Sequence, residues 1–152
     1  MSCSGSYLRG AWVLLAAALL AACSGIPLKQ REAAERARFE AYAGKPVDHL
    51  TWLTHYEGWE PISPDQLVVW TDINQAYLIT VFHPCTDLMF AHRIALTPFA
   101  NTVYAHFDAV HVEAWRCIIN SIQPVDYRRM EHDERAQREA QKKGQAVPPK
   151  GE

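Results

Sequence analysis

The stretch QLVVWTDINQAYLITVF, residues 66–82, decides the fold. Two runs of β-branched and aromatic residues, 66–71 and 76–82, flank Thr71-Asp72-Ile73-Asn74, whose polar side chains suit a tight turn, so the stretch predicts a β-hairpin. Successive side chains in a strand point to opposite faces. Leu67, Val69 and Thr71 therefore share one face, with Val68 and Trp70 on the other. In the second strand Tyr77, Ile79 and Val81 oppose Leu78, Thr80 and Phe82. Both faces are apolar, which requires packing partners on each side of the sheet rather than one wet face.

Outward from the hairpin the pattern persists from Val47 to Tyr127 as short apolar runs broken by turn residues. Further strands are expected over 48–53, 90–96, 103–107, 109–113 and 116–122. Turns are expected at Ser63-Pro64-Asp65, at Thr97-Pro98-Phe99-Ala100-Asn101 and around Asp108. Connections this short join antiparallel strands, because a parallel crossover needs a dozen or more residues. The expected fold is mainly β, a small antiparallel barrel or sandwich. Before it, LKQREAAERARFEAYA (28–43) is rich in helix formers and is followed by Gly44 and Pro46 as stops. Its apolar stripe is thin, so a spacer helix docked weakly or at one end is expected. After Tyr127 the chain is charged, with Met130 the one large apolar side chain before Val147, and a solvated helix fraying into a Pro-Gly tail is expected. The expected organisation is a leader over 1–22, a helical spacer over 23–46, the β domain over 47–127 and a charged, partly disordered tail over 128–152.

The first residues read as a secretory leader. Arg9 precedes an apolar run over 11–20, too short to cross a ~30 Å hydrocarbon core as a helix of ~20 residues. Leu20-Ala21-Ala22-Cys23 resembles the bacterial lipobox, in which a diacylglyceryl group is placed on the thiol and a peptidase cuts before it, the small residues admitting the backbone. Acyl chains on Cys23 would tie the protein to a membrane, at roughly 0.8 kcal/mol for each buried CH₂. Ser24 follows, where an Asp commonly retains such proteins at the inner membrane, so delivery to the outer membrane, facing the periplasm, is expected. The remaining ~130 residues suffice for one modest core. With 15 Lys+Arg against 17 Asp+Glu and a formal net charge of −2, no basic excess calls for nucleic acid.

Of four cysteines, Cys3 falls in the leader and Cys23 takes the lipid, leaving Cys85 and Cys117. Two thiols in one small domain outside the inner membrane usually pair, and a closed loop of about 32 residues would contribute roughly 3–4 kcal/mol. The alternative is a catalytic thiol with a positioned His base. His83 is near Cys85 in sequence, which says nothing of geometry.

Several segments carry a family likeness: Gly58-Trp59-Glu60-Pro61-Ile62, Leu67-Val68-Val69-Trp70-Thr71, Pro84-Cys85-Thr86-Asp87-Leu88, Val103-Tyr104-Ala105-His106-Phe107-Asp108 and Arg116-Cys117-Ile118-Ile119. Together they are similar to a family of small proteobacterial lipoproteins of unknown function, the family numbered 6491. His106 stands where that pattern commonly has Arg before Phe-Asp. The resemblance implies an outer-envelope lipoprotein domain with paired cysteines and supplies no activity.

Candidate sites are few. His106 and His111 are the densest histidine pair, but residues five apart on one strand point to opposite faces, so they converge as metal ligands only across a turn at Asp108. Trp70, Tyr77 and Phe107 are either packed core aromatics or the lining of a ligand groove. Asp108 and Asp126 are paired carboxylates or turn residues. There is no Gly-rich phosphate loop, no Gly-x-Ser-x-Gly and no His-Glu-x-x-His, so an enzyme is not expected and no cofactor is implied. The expected role is a non-catalytic binding or envelope-assembly module with an envelope protein partner. A small-molecule or metal-binding sensor, or an inhibitor of an envelope hydrolase, are the alternatives.

Overall fold

The computed structural model describes residues 27–52, 55–82, 84–97 and 100–144. The expected leader, the lipidation site Cys23, His83 and the tail beyond residue 144 lie outside them. The chain divides into two compact units, Met1–Arg31 and Glu32–Glu152. In the first, the Pro27 carbonyl accepts from the N–H groups of Gln30 and Arg31 (2.9 and 3.2 Å) and starts helix α1, Leu28–Glu40. The second holds the rest of that helix and, among the described residues, all the strands.

The strands are β1 (His49–Thr51), β2 (Gly58–Ser63), β3 (Gln66–Asp72), β4 (Gln75–Val81), β5 (Ala95–Leu96), β6 (Thr102–Tyr104), β7 (Ala109–Val112) and β8 (Trp115–Val125), followed by helix α2 (Tyr127–Gly144). Six form one curled antiparallel sheet in the order β2-β3-β4-β8-β7-β5, and β1 pairs with β6 in a second, two-stranded sheet. The fold is thus mainly β, a half-barrel with a helix before it and a helix after it. The expected hairpin is its centre: Val68 faces Leu78 and Val69 faces Tyr77 across β3 and β4, with Ile73 and Asn74 at the turn.

Both faces of this hairpin are buried, and each feeds its own core. On one face Leu67, Val69, Ile79 and Val81 join Ile119 and Ile122 of β8, Val110 and Val112 of β7, Leu50 of β1 and Val103 of β6. On the other, Val68, Ala76 and Leu78 pack with Ile62, with Phe39 of α1 and with Met130 of α2. The helices therefore cover the face that a one-sided sheet would leave in water. Strand β8 is long because it is shared. Its first residues pair with β7, its later ones with β4, and the segment after α1 follows it through bridges from Ala43 to Val125 and from Val47 to Ile122. Gly44 fits this close approach, since a Cβ there would stand 3.3 Å from Pro124 Cγ.

Four local readings differ from expectation. Strand β2 occupies 58–63, a segment not among the expected strands; it lies at the sheet edge, the position in which the missing N–H of Pro61 is tolerated. The expected strand over 90–96 is reduced to Ala95–Leu96, because a 3-10 helix over Thr86–Phe90 buries Leu88 completely and takes up the chain before it can pair. The expected strand over 103–107 stops at Tyr104. There His106 enters the left-handed region (φ 68°), while Asp108 accepts the Tyr104 N–H on its carboxylate at 2.7 Å. Finally, α2 is docked over its first two turns rather than solvated throughout. Asp126 caps it by accepting from the Arg129 N–H (3.2 Å), and Met130 is completely buried. Arg38 of α1 donates from Nε and Nη2 to the two carboxylate oxygens of Glu134 (2.5 and 3.1 Å), and the Tyr42 hydroxyl donates to Asp133 (3.1 Å). From Arg135 to Gly144 the helix is exposed, as the charge pattern predicts.

Candidate functional site

The candidate site is a cleft at the seam between β4 and β8. Pairing of these strands ends at Val81 with Ile119, and the Phe82 N–H still donates to the Ile118 carbonyl at 3.0 Å. Beyond that bond the chain leaves β8 and reaches Cys85, whose N–H donates to the Pro64 carbonyl (2.6 Å). The disulfide between Cys85 and Cys117, with Cα atoms 6.1 Å apart, returns it to β8. Two strands that part and are stapled again enclose a gap of about 390 Å³. Phe82, Pro84, Trp115, Arg116 and Ile118 line it together with the two half-cystines.

Its walls are mostly apolar, and among the described residues that line it Arg116 alone carries a charge. Phe82 is 51% exposed and Trp115 62%, so two large rings stand at the opening in contact with water. Exposed apolar clusters of this kind mark binding surfaces more often than they serve packing. No carboxylate pairs with Arg116 among the described residues; its guanidinium donates a long hydrogen bond (3.5 Å) to the Phe107 carbonyl. A guanidinium beside apolar walls is a ready partner for an anion.

The neighbouring turn fixes one wall. His106 donates its N–H to the Ile119 carbonyl (2.7 Å), and its ring lies 5.7 Å from that of Phe82. The turn itself is organised by Asp108, which accepts from the Tyr104 N–H and from the Thr97 hydroxyl (3.3 Å). Thr97 in turn accepts from the Ala109 N–H at 3.0 Å. Asp108 is therefore a turn organiser and Asp126 a helix cap, and the two do not form a carboxylate pair.

The sequence-predicted groove does not assemble. Trp70 and Tyr77 sit on opposite faces of the sheet: Trp70 packs edge-on against Phe39 and Tyr127 at ring separations of 6.5 and 5.9 Å, and Tyr77 joins the other core. Phe107 is 79% exposed at the tip of the β6–β7 turn. Directly paired residues share a face and neighbours along a strand alternate, so the Val69–Tyr77 register, which puts Trp70 across from Ala76, sets Trp70 on the face opposite Tyr77. His106 stands on the turn and His111 on β7 opposite Arg116, and they are not brought together. Among the described residues no three His, Cys, Asp or Glu side chains are placed to hold a metal ion. The residues missed by sequence reasoning are Phe82, Trp115 and Arg116. The available signal was a Trp-Arg pair directly after the turn at Glu113-Ala114 and directly before a half-cystine.

A second cleft of about 410 Å³, lined in part by Thr51, Trp52, Glu57 and Gln75, is more polar and opens beside the hairpin turn.

Fold and cleft define a disulfide-stapled antiparallel β protein with a small apolar opening between two parted strands. Residues 7–141 match the family of unknown function DUF6491, and the chain belongs to that family. No curated protein and no solved structure matches the chain.

Proposed function

We propose that the chain is an outer-membrane-anchored periplasmic lipoprotein whose β unit works as a binding module rather than through chemistry. The observation that carries this reading is the Cys85–Cys117 disulfide in a chain that also holds Leu20-Ala21-Ala22-Cys23 after an apolar leader. A disulfide in so small a unit suits an oxidising compartment, and an apolar run ending in small residues and a thiol suits acylation at the membrane of that compartment. The binding role is supported by two large aromatic rings held at the opening of the stapled cleft. Radiolabelled palmitate fed to cells expressing the full chain tests the anchor. Label is expected on the wild type and absent from Cys23→Ala, which should fractionate away from the outer membrane. Label retained by Cys23→Ala would overturn the reading.

A further inference from the structure

We infer that the cleft between Phe82 and Trp115 binds an amphiphilic carboxylate, a small molecule with an aliphatic or aromatic body and one anionic head, with Arg116 receiving the head. The inference rests on the binding half of the proposal above and is independent of the anchor.

Size, lining and charge converge on this class. A gap of about 390 Å³ lies in the range of small-molecule sites, roughly 300–1,000 Å³, and is too small for a folded partner to enter. Phe82, Pro84, Trp115 and Ile118 offer no charge to a ligand, so its body is apolar. Among the described residues of the lining Arg116 alone is charged, and among the described residues it has no carboxylate partner. A neutral apolar guest would leave that guanidinium unused, and a cationic one would be repelled by it. A carboxylate accepts two parallel N–H bonds from the guanidinium and matches its planar fork. The wall is preorganised: the disulfide fixes the distance between Cys85 and β8, and the His106 ring lies against Phe82. Little ordering cost is therefore left for binding.

The test uses the full-length protein in zwitterionic phosphatidylcholine nanodiscs, labelled with 5-fluorotryptophan, the Trp115 resonance being assigned by its loss in Trp115→Phe. Octanoate, octanamide and octyltrimethylammonium are titrated separately. Octanoate is expected to give a saturable shift of the Trp115 signal, octanamide a weaker one, and the cation none. Arg116→Gln should weaken octanoate at least tenfold while leaving octanamide unchanged, and Arg116→Lys should recover part of the loss. Because Arg116 is exposed, these variants are expected to melt as the wild type does, so a lost shift reports binding and not unfolding. No saturable octanoate shift, equal responses to the three probes, or an Arg116→Gln variant that binds octanoate as well as the wild type would overturn the inference. A Trp115 shift that follows exchange of the discs to anionic lipid, without added ligand, would also overturn it and make the cleft a bilayer contact. Palmitate labelling reads a different residue, so failure of either proposal is seen separately.

Discussion

Met130→Ala should cost the protein more stability than deleting the whole exposed end of α2. Met130 is completely buried in the core formed by Phe39, Ile62, Val68 and Leu78, and is the one buried residue of its helix. Truncation to Ala removes about three heavy atoms, worth roughly 2.4 kcal/mol at ~0.8 kcal/mol per methylene-sized group. The cavity left behind adds to this, because rigid neighbours relax only in part, and the total falls near 3–4 kcal/mol, inside the ~2–5 kcal/mol range for Met→Ala in cores. For a domain of this size about 1 kcal/mol moves the midpoint by ~4 °C, so the melt should fall by about 12–16 °C. Stopping the chain after Glu134 keeps Met130, the Asp126 cap and the Arg38–Glu134 pair, and removes residues that are exposed through Gly144. That change should stay below ~1 kcal/mol, or ~4 °C. Circular dichroism melts of the full chain, Met130→Ala, Met130→Leu and the shortened chain make the comparison, the Leu variant controlling for shape with an expected loss under ~1.5 kcal/mol. If Met130→Ala melts within 3–4 °C of the wild type (on the order of 1 kcal/mol), or if the shortened chain falls as far as it does, the docking of α2 described above is wrong.

Two further outcomes are expected. Asp65 is pushed up by burial, but the donors Ser63 and Arg36 outweigh that and hold its carboxyl below the usual range. A depressed carboxylate stabilises the fold above its unfolded value, near pH 4, and that contribution disappears as pH falls through the lower folded value. Asp65→Asn should therefore lower stability at pH 7 by no more than about 1 kcal/mol, the pair being partly exposed, and the gap in urea midpoints should close toward pH 2–3; a gap that widens on acidification would contradict the assignment. For Cys85 and Cys117, a sequence separation of 32 gives ~3.7 kcal/mol by the chain-entropy estimate. The Cys85→Ser, Cys117→Ser double variant should melt ~15 °C lower, and alkylated intact mass should differ by two adducts with and without reductant. Two free thiols in unreduced protein would refute the pairing.

The sequence carried the centre of the fold because it carries information that is local. Alternation over 66–82 and the polar residues at its turn specify the hairpin without reference to the rest of the chain, and the apolar character of both faces already demanded two packing layers. What stayed hidden depends on distant partners. Arg38 and Glu134 are 96 residues apart, and nothing around either one signals the other, so a charged tail with a single Met looked solvated. Pro61 lowers strand propensity locally, yet its place at an edge is decided by the strand order. The site followed the same rule. Cys85 and Cys117 were legible as a pair, whereas the opening beside them exists because two strands part after Val81 and Phe82, a fact of tertiary geometry. Trp70 and Tyr77 stand out in the sequence by size, and size alone does not distinguish a packed ring from a presented one.

The burial of both faces of β4 also changes what guards against misassembly. In a sheet with one wet face, a slip of one residue puts polar groups inside and apolar groups outside, and the hydrophobic effect penalises it. Here such a slip would exchange Tyr77, Ile79 and Val81 with Ala76, Leu78 and Thr80, largely apolar for apolar. Polarity discriminates weakly between the two alignments. The burden passes to volume, a tyrosine against an alanine, and to the irregular points where pairing skips a residue: Pro61/Ser63, Trp70/Asp72 and Thr80/Val81. Those three interruptions act as phase marks, and they occur at each of the three contacts made by the four strands β2, β3, β4 and β8. Smoothing one of them would leave the core composition untouched while removing what tells the strands where to stop sliding.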